Sequence, residues 1–206
     1  MIDFLCNICG AQNRCDPVAL TREAVSCITC RSNVRERGLV HALSMELFGL
    51  PMTLPEFPHV KSLRGLGTSD SNLYAARVAE KLDYRNTFYD REPRFDLACP
   101  PPQDLGGYDF LLSSDVLEHV APPVEAALAN ACRILKPDGV LIFTVPYSIE
   151  AARSEHYPDL HQFGFAEVGG KLVLVNRTPS GEMQVFEDPV FHRSAAGDSL
   201  EMREFS

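Results

Sequence analysis

The feature that most restricts what this chain can fold into is a pair of cysteine doublets near its start. Cys6-Asn7-Ile8-Cys9 is followed, after seventeen residues, by Cys27-Ile28-Thr29-Cys30. Two residues between cysteines let both sulfurs of a tight turn face one point. Two such turns supply a tetrahedron of thiolates. Gly10 follows the first doublet, where a turn with positive φ is useful. The spacing predicts a structural Zn²⁺ held by Cys6, Cys9, Cys27 and Cys30, with no open coordination position. The competing reading, two disulfides, needs an oxidising compartment. A redox role for one doublet needs a βαβ setting that its flanks lack. Cys15, Cys99 and Cys132 match neither doublet and read as small buried hydrophobes or idle thiols.

No apolar run approaches the roughly 20 residues that span a bilayer. The first residues lack the basic and apolar regions of a secretory leader. The expectation is therefore a cytoplasmic protein with no membrane partner. The formal net charge is -9, which repels phosphate backbones. Residues 1–38 carry five arginines against four acids, and four thiolates on one Zn²⁺ would cancel that small excess. No nucleic-acid partner is expected. At 206 residues the chain suits one medium domain plus a small appendage. Three parts are expected: a zinc module over 1–38, a helical linker over 39–59 and a main domain over 60–206. Leu39, Leu43 and Leu47 recur at helical spacing, and Pro51, Pro55 and Pro58 then break the chain.

From residue 60 the pattern alternates. Strands are expected over 60–66, 87–89, 108–113 and 140–145, with helices over 72–82 and 124–135. Lys136-Pro137-Asp138-Gly139 stops the second helix and turns into the next strand. Segments 171–176 and 183–191 flank Thr178-Pro179-Ser180-Gly181, a hairpin signal. Strands alternating with helices mean an α/β fold with a mainly parallel sheet, to which the hairpin would add an antiparallel edge.

Two segments carry a resemblance: Asp109-Phe110-Leu111-Leu112-Ser113-Ser114-Asp115-Val116-Leu117-Glu118-His119-Val120, and Arg133-Ile134-Leu135-Lys136-Pro137-Asp138-Gly139-Val140-Leu141. Together they resemble the fourth strand, "EHV" turn and "LKPGG" fifth-strand entry of class I methyltransferases of the type 11 group. The resemblance covers about residues 60–176. It implies a seven-stranded Rossmann-like sheet and S-adenosylmethionine as cofactor. Leu63-Arg64-Gly65-Leu66-Gly67-Thr68-Ser69-Asp70 then matches the first-strand motif, where ligand approaches backbone as a strand feeds a helix. The family usually has an acid at Leu63 and a third glycine at Ser69, and Asp70 could compensate for the first.

An acid about 20 residues beyond the glycines suits a ribose diol, and Asp90 fills that slot. Asp96-Leu97 resembles the segment beside the adenine. The cofactor is expected between Gly65–Asp70 and Ser113, Ser114, Asp115 and Val116, outside the strand carboxyl ends. Transfer to an acceptor hydroxyl or amine involves removal of its proton. His119, in the turn after the fourth strand, and His156, in an insert over 148–165 without strong period, are the candidate bases. His41, His59 and His192 read as structural. The reading is a methyltransferase acting on a small-molecule or saccharide acceptor. Its alternative is a cofactor-fold binding protein that has lost catalysis and interacts through the zinc module.

Overall fold

The computed structural model describes residues 1–149, 154–194 and 197–206, and of 193, 194 and 197 the backbone alone. In chain order the elements are β1 (Ile2–Leu5), β2 (Gln12–Cys15), α1 (Val34–Phe48), β3 (Val60–Thr68), α2 (Asn72–Lys81), β4 (Leu82–Thr87), β5 (Tyr108–Ser114), α3 (Val124–Ile134) and β6 (Leu135–Thr144). There follow β7 (Ser154–Glu155), β8 (Gln162–Val168), β9 (Lys171–Arg177), β10 (Met183–Glu187), β11 (Phe191–Ser194), β12 (Gly197–Leu200) and β13 (Arg203–Glu204). Among the described residues no helix is long and apolar enough to cross a membrane.

The chain divides into two compact units. The first comprises Met1–Asp96, Pro100–Ser114 and Ala131–Thr144. Its centre is a four-stranded parallel sheet in the order β4-β3-β5-β6. β5 lies mid-sheet and Phe110, Leu111 and Leu112 are fully buried, as a doubly covered parallel strand requires. The second unit comprises Leu97–Cys99, Asp115–Asn130 and Val145–Ser206. It holds the antiparallel sheet β10-β9-β8 and the pairs β11-β12 and β7-β13. Tyr157, Leu160, Leu174, Leu200 and Met202 form its core.

Several expectations are corrected. The strand expected over 87–89 is β4, over Leu82–Thr87. Leu82 caps α2 in extended conformation, so helix passes to strand without a loop, and the alternating burial begins at once. The Lys136–Gly139 stretch does not precede its strand. It bulges from β6 between the pairs Tyr108–Leu135 and Phe110–Val140. The β9–β10 hairpin forms, but it pairs with β8 in a separate sheet rather than edging the parallel one. A hairpin signal says which strands pair and not which edge they join. The central sheet has four strands among the described residues, not seven.

The helix expected as a linker is an integral part of the first unit. α1 starts at Val34, inside the expected zinc module, because Asn33 and Glu36 close a capping box there. Gly49, in left-handed conformation, ends it with an N–H bonded to Met45 O at 2.9 Å. Leu39, Val40 and Leu43 share one buried cluster with Cys6, Ile8, Cys27, Tyr74, Phe110 and Ile142.

The first strand–helix turn is built from its own side chains. A methyl group at Gly65 would land inside the Phe110 ring, and one at Gly67 would strike the Tyr84 hydroxyl and the Asp70 carboxylate. Both glycines are thus required by the packing of the sheet. Ser69, at the position where the resembled family usually has a third glycine, takes the left-handed conformation with φ 59°. Asp70 is buried and accepts hydrogen bonds from the hydroxyls of Tyr74, at 2.6 Å, and Tyr84. Asn86 brackets the Asp70 backbone, accepting from its N–H at 3.0 Å and donating to its carbonyl at 2.9 Å.

Burial raises the Asp70 carboxyl to about 6, against the pull of the two phenols and Arg35. The native state then binds a proton between about pH 4 and 6 that the unfolded chain has released, so this group's stabilising contribution falls as pH rises through that window. About two pKa units correspond to ~3 kcal/mol. Urea unfolding of wild type and Asp70→Asn across pH 4 to 7 should show the wild-type advantage shrinking as pH rises. A difference that is flat with pH, or grows, contradicts this assignment.

Candidate cofactor and metal sites

The two cysteine turns have the same local geometry. In the first, Gly10 N–H bonds to Cys6 O at 2.7 Å. In the second, Arg31 N–H bonds to Cys27 O at 3.0 Å. Gly10 and Arg31 both sit at positive φ, 76° and 67°. The β1–β2 hairpin carries the first turn and also anchors the second, because Asn13 Oδ1 accepts the Ile28 N–H at 2.9 Å. Cys6 and Cys30 bring their sulfurs to 3.6 Å, and Cys9 and Cys27 to 3.7 Å. All four sulfurs lie within 4.8 Å of one another. A four-thiolate zinc ion with bonds of ~2.3 Å requires sulfurs about 3.8 Å apart. The Cys6–Cys30 and Cys9–Cys27 separations match that spacing, and the four thiols suit such an ion.

The thiols differ in acidity. Burial pushes Cys9 up to about 12. Burial also opposes ionisation of Cys27, but the backbone N–H groups of Cys30 and Thr29, with the thiols of Cys30 and Cys9, outweigh it and bring Cys27 to about 6. Ser32 Oγ stands 3.2 Å from Cys30 Sγ and 3.5 Å from Cys6 Sγ, and Arg37 donates to Ser32 O at 3.1 Å. Arg37 of α1 thus braces the serine that stands beside the sulfurs.

At the carboxyl end of the parallel sheet the strands finish in hydroxyls. Thr68 Oγ1 donates to Leu112 O at 3.2 Å, and Thr87 Oγ1 to Gly67 O at 2.6 Å. Ser114 Oγ lies 2.9 Å from Thr144 Oγ1 and receives an Arg35 N–H at 2.5 Å. Arg35 also grips Glu23 through two bonds, at 2.8 and 3.0 Å. Ser113 Oγ is buried and has no hydrogen-bond partner among the described residues. A buried hydroxyl without a partner costs free energy unless a ligand or water satisfies it. This is the observation that fits a bound polar ligand at this edge.

The remaining expected residues scatter. Gly65, Gly67, Thr68, Ser69 and Asp70 lie along β3 and its turn, with Ser113 and Ser114 at the end of the neighbouring β5. Asp90 lies three residues beyond β4, exposed, with Arg91 4.0 Å away. Asp96 closes the first segment of the first unit, whereas Leu97, Asp115, Val116, His119 and His156 belong to the second. Asp115 takes a left-handed φ of 52°.

In the second unit His119 Nδ1 bonds to Leu200 O at 2.8 Å. Burial, aided by His192, holds its imidazole below the usual 6.5, so the ring is neutral at neutral pH. His156 Nε2 lies 3.5 Å from Glu201 Oε1. The insert expected over 148–165 forms β7 and the start of β8, and residues 150–153 lie outside the described residues. Its Tyr157 and Leu160 are core residues. His192, read as structural, stands 3.5 Å from Glu118 Oε1. Sequence reasoning missed Arg35 and His192, because their partners lie 79 and 74 residues away and no local period marks such pairing.

A solved structure of an S-adenosylmethionine-dependent methyltransferase from Mesorhizobium loti aligns at 14% identity over 71% of each chain, with a TM-score of 0.28. No curated protein matches the chain. The family model described as a methyltransferase domain matches residues 54–170. That span is more than half of the chain, it contains the whole parallel sheet, and the chain therefore belongs to the methyltransferase-domain family.

Proposed function

We propose that the protein is an S-adenosylmethionine-dependent methyltransferase acting on a small-molecule or saccharide acceptor, with a structural Zn²⁺ on Cys6, Cys9, Cys27 and Cys30. The observation that carries the cofactor reading, beside the family, is the partnerless buried Ser113 hydroxyl at the end of β5. The residues expected from the sequence fall in both units, and the support described here comes from the first alone. There Ser113, Thr68 and Ser69 offer hydroxyls and backbone, and Asp90 offers a carboxylate suited to a ribose diol. Gly65 and Gly67 serve through their close packing, and Asp70 by holding the turn. The bound cofactor supplies an activated methyl group on a sulfonium. The chain's own work is alignment, worth up to ~7–11 kcal/mol, and removal of the acceptor's proton, which we assign to the neutral His119 rather than to His156, whose Nε2 faces Glu201.

One observation favours the second reading, a binding protein of the same fold. The space over both motif glycines is filled by Phe110, Tyr84 and Asp70. Calorimetry with S-adenosylmethionine separates the two. The enzyme reading expects saturable binding, weakened about fivefold in Ser113→Ala by loss of one hydrogen bond and more than tenfold in Asp90→Ala. Absence of any binding would leave only the second reading.

With labelled cofactor and a panel of small-molecule and saccharide acceptors, His119→Ala should reduce turnover by about 10²-fold or more, with cofactor affinity and melting temperature near wild type. Turnover that follows stability alone removes His119 from the chemistry. Elemental analysis of protein purified without added metal should return at least one zinc per chain. That zinc should be released on acidification, because binding expels thiol protons. A zinc content near zero, or Cys27→Ser protein with unaltered zinc and melting, overturns the metal assignment.

A further inference from the structure

We propose that Arg35 is a positioning residue that couples the four-cysteine site to the cofactor edge of the sheet, so that metal on the cysteines and ligand at the end of β5 each strengthen the other. The coupling rests on both halves of the functional reading above, the Zn²⁺ and the S-adenosylmethionine. All the residues involved lie in the first unit. Arg35 stands in the first turn of α1. A cation there is opposed by the helix macrodipole, so the helix itself does not account for it. What the guanidinium spans does. On one side Nε and Nη2 grip the Glu23 carboxylate, at 2.8 and 3.0 Å, in the two-pronged geometry that makes such pairs strong. On the other, Nη1 donates to Ser114 Oγ at 2.5 Å, at the end of β5 and next to Ser113. Only 17% of the arginine side chain is exposed, which spares its bonds much of the solvent screening.

Glu23 sits where the metal can govern it. Residues 16–33, between β2 and α1, contain one 3-10 turn, Pro17–Ala19, and no other helix or strand. Asn33 Nδ2, at 3.2 Å, and Arg22 also donate to the Glu23 carboxylate, and the Arg35 N–H bonds to Arg22 O at 3.2 Å. The segment thus docks on the start of α1 through its own polar groups. An ion would tie Cys27, four residues beyond Glu23, to Cys6 and Cys9 and so restrict where Glu23 can go. Loss of the ion makes holding the segment closed cost more conformational entropy. Arg35 then loses a fixed carboxylate, and with it the orientation it presents to Ser114. Ser114 Oγ also lies 2.9 Å from Thr144 Oγ1, so a change at this hydroxyl reaches the ends of both β5 and β6. Arg35 further favours the charged form of Asp70 in the motif turn. A ligand that fixes the strand ends favours the same arrangement, and coupling between two binding sites is reciprocal.

The test measures zinc affinity of the full-length protein by equilibrium competition with a chromophoric chelator, with and without saturating S-adenosylmethionine, whose binding is followed by calorimetry. Wild type should hold zinc about fivefold or more tightly with the cofactor bound. Arg35→Lys keeps the charge but not the fork, and Glu23→Gln keeps the shape at a half-exposed position. Both should still bind zinc and cofactor yet lose the enhancement. A second arm needs no cofactor. Ser114→Ala should weaken zinc binding about twofold or more, and that effect should vanish in the Arg35→Lys background. Thr87→Ala, at the end of β4 and bonded to Gly67 rather than to Arg35, should leave zinc binding unchanged. Equal loss of zinc affinity in the two alanine variants marks a purely structural effect and overturns the coupling. So does an enhancement that survives in Arg35→Lys. Protein devoid of zinc overturns the metal reading and the coupling together. If cofactor does not bind, the transferase reading fails and the second arm still decides the link. Zinc and cofactor both bound, with zinc affinity unmoved, overturns the coupling alone.

Discussion

The interaction on which the first unit depends is the burial of one apolar core by the two cysteine turns, α1 and the parallel sheet together. Cys6 and Ile8 are fully buried and Cys27 nearly so, in the same cluster as Leu39, Val40 and Leu43 of α1 and Phe110 and Ile142 of the sheet. Each buried aliphatic side chain contributes roughly 1.5–3 kcal/mol relative to exposure. None of these parts can shed its neighbour without exposing that surface. The polar contacts follow the same route. Arg37 of α1 donates to Ser32 beside the sulfurs, and Arg35 ties Glu23 of the cysteine segment to Ser114 at the strand end. A four-thiolate ion in this place would hold up one side of the sheet's core rather than decorate its edge.

That arrangement explains the unusual first turn. In the parallel sheet, the space beside each motif glycine is taken by an aromatic ring, with Tyr84 and Phe110 stacked 5.9 Å apart. Asp70 answers to those tyrosines, and burial raises its carboxyl accordingly. The polar groups left for a ligand are those at the strand ends, chiefly Ser113.

The helices α2 and α3, the strands β3 and β5 and the cysteine turns were legible in the sequence, because each rests on local spacing. Val124, Ala127, Ala131 and Ile134 mark the buried face of α3 by period alone, and the doublets mark the four sulfurs by count. What was not legible was set by distant partners. The strand Leu82–Thr87 hides against the end of α2 because no turn residue separates them. The independence of the β8–β10 sheet depends on the core of Tyr157, Leu160 and Leu174, which no pair of adjacent strands reveals. That α1 begins at Val34, inside the span read as the cysteine module, rests on the side-chain exchange between Asn33 and Glu36. Of the candidate site, the strand-end hydroxyls could be read from the motif, whereas Arg35 and His192 reach theirs only through the fold.

The central claim is that the cysteine segment shares one core with the sheet. Ile8, fully buried between the first pair of cysteines, provides the most direct probe. Amide hydrogen exchange of wild type and Ile8→Ala measures how far the loss of its side chain is felt. A shared core predicts faster exchange in α1, β3 and β5 as well as in β1 and β2, in one cooperative unit. Faster exchange confined to residues 1–32, with α1, β3 and β5 as protected as before, would contradict it.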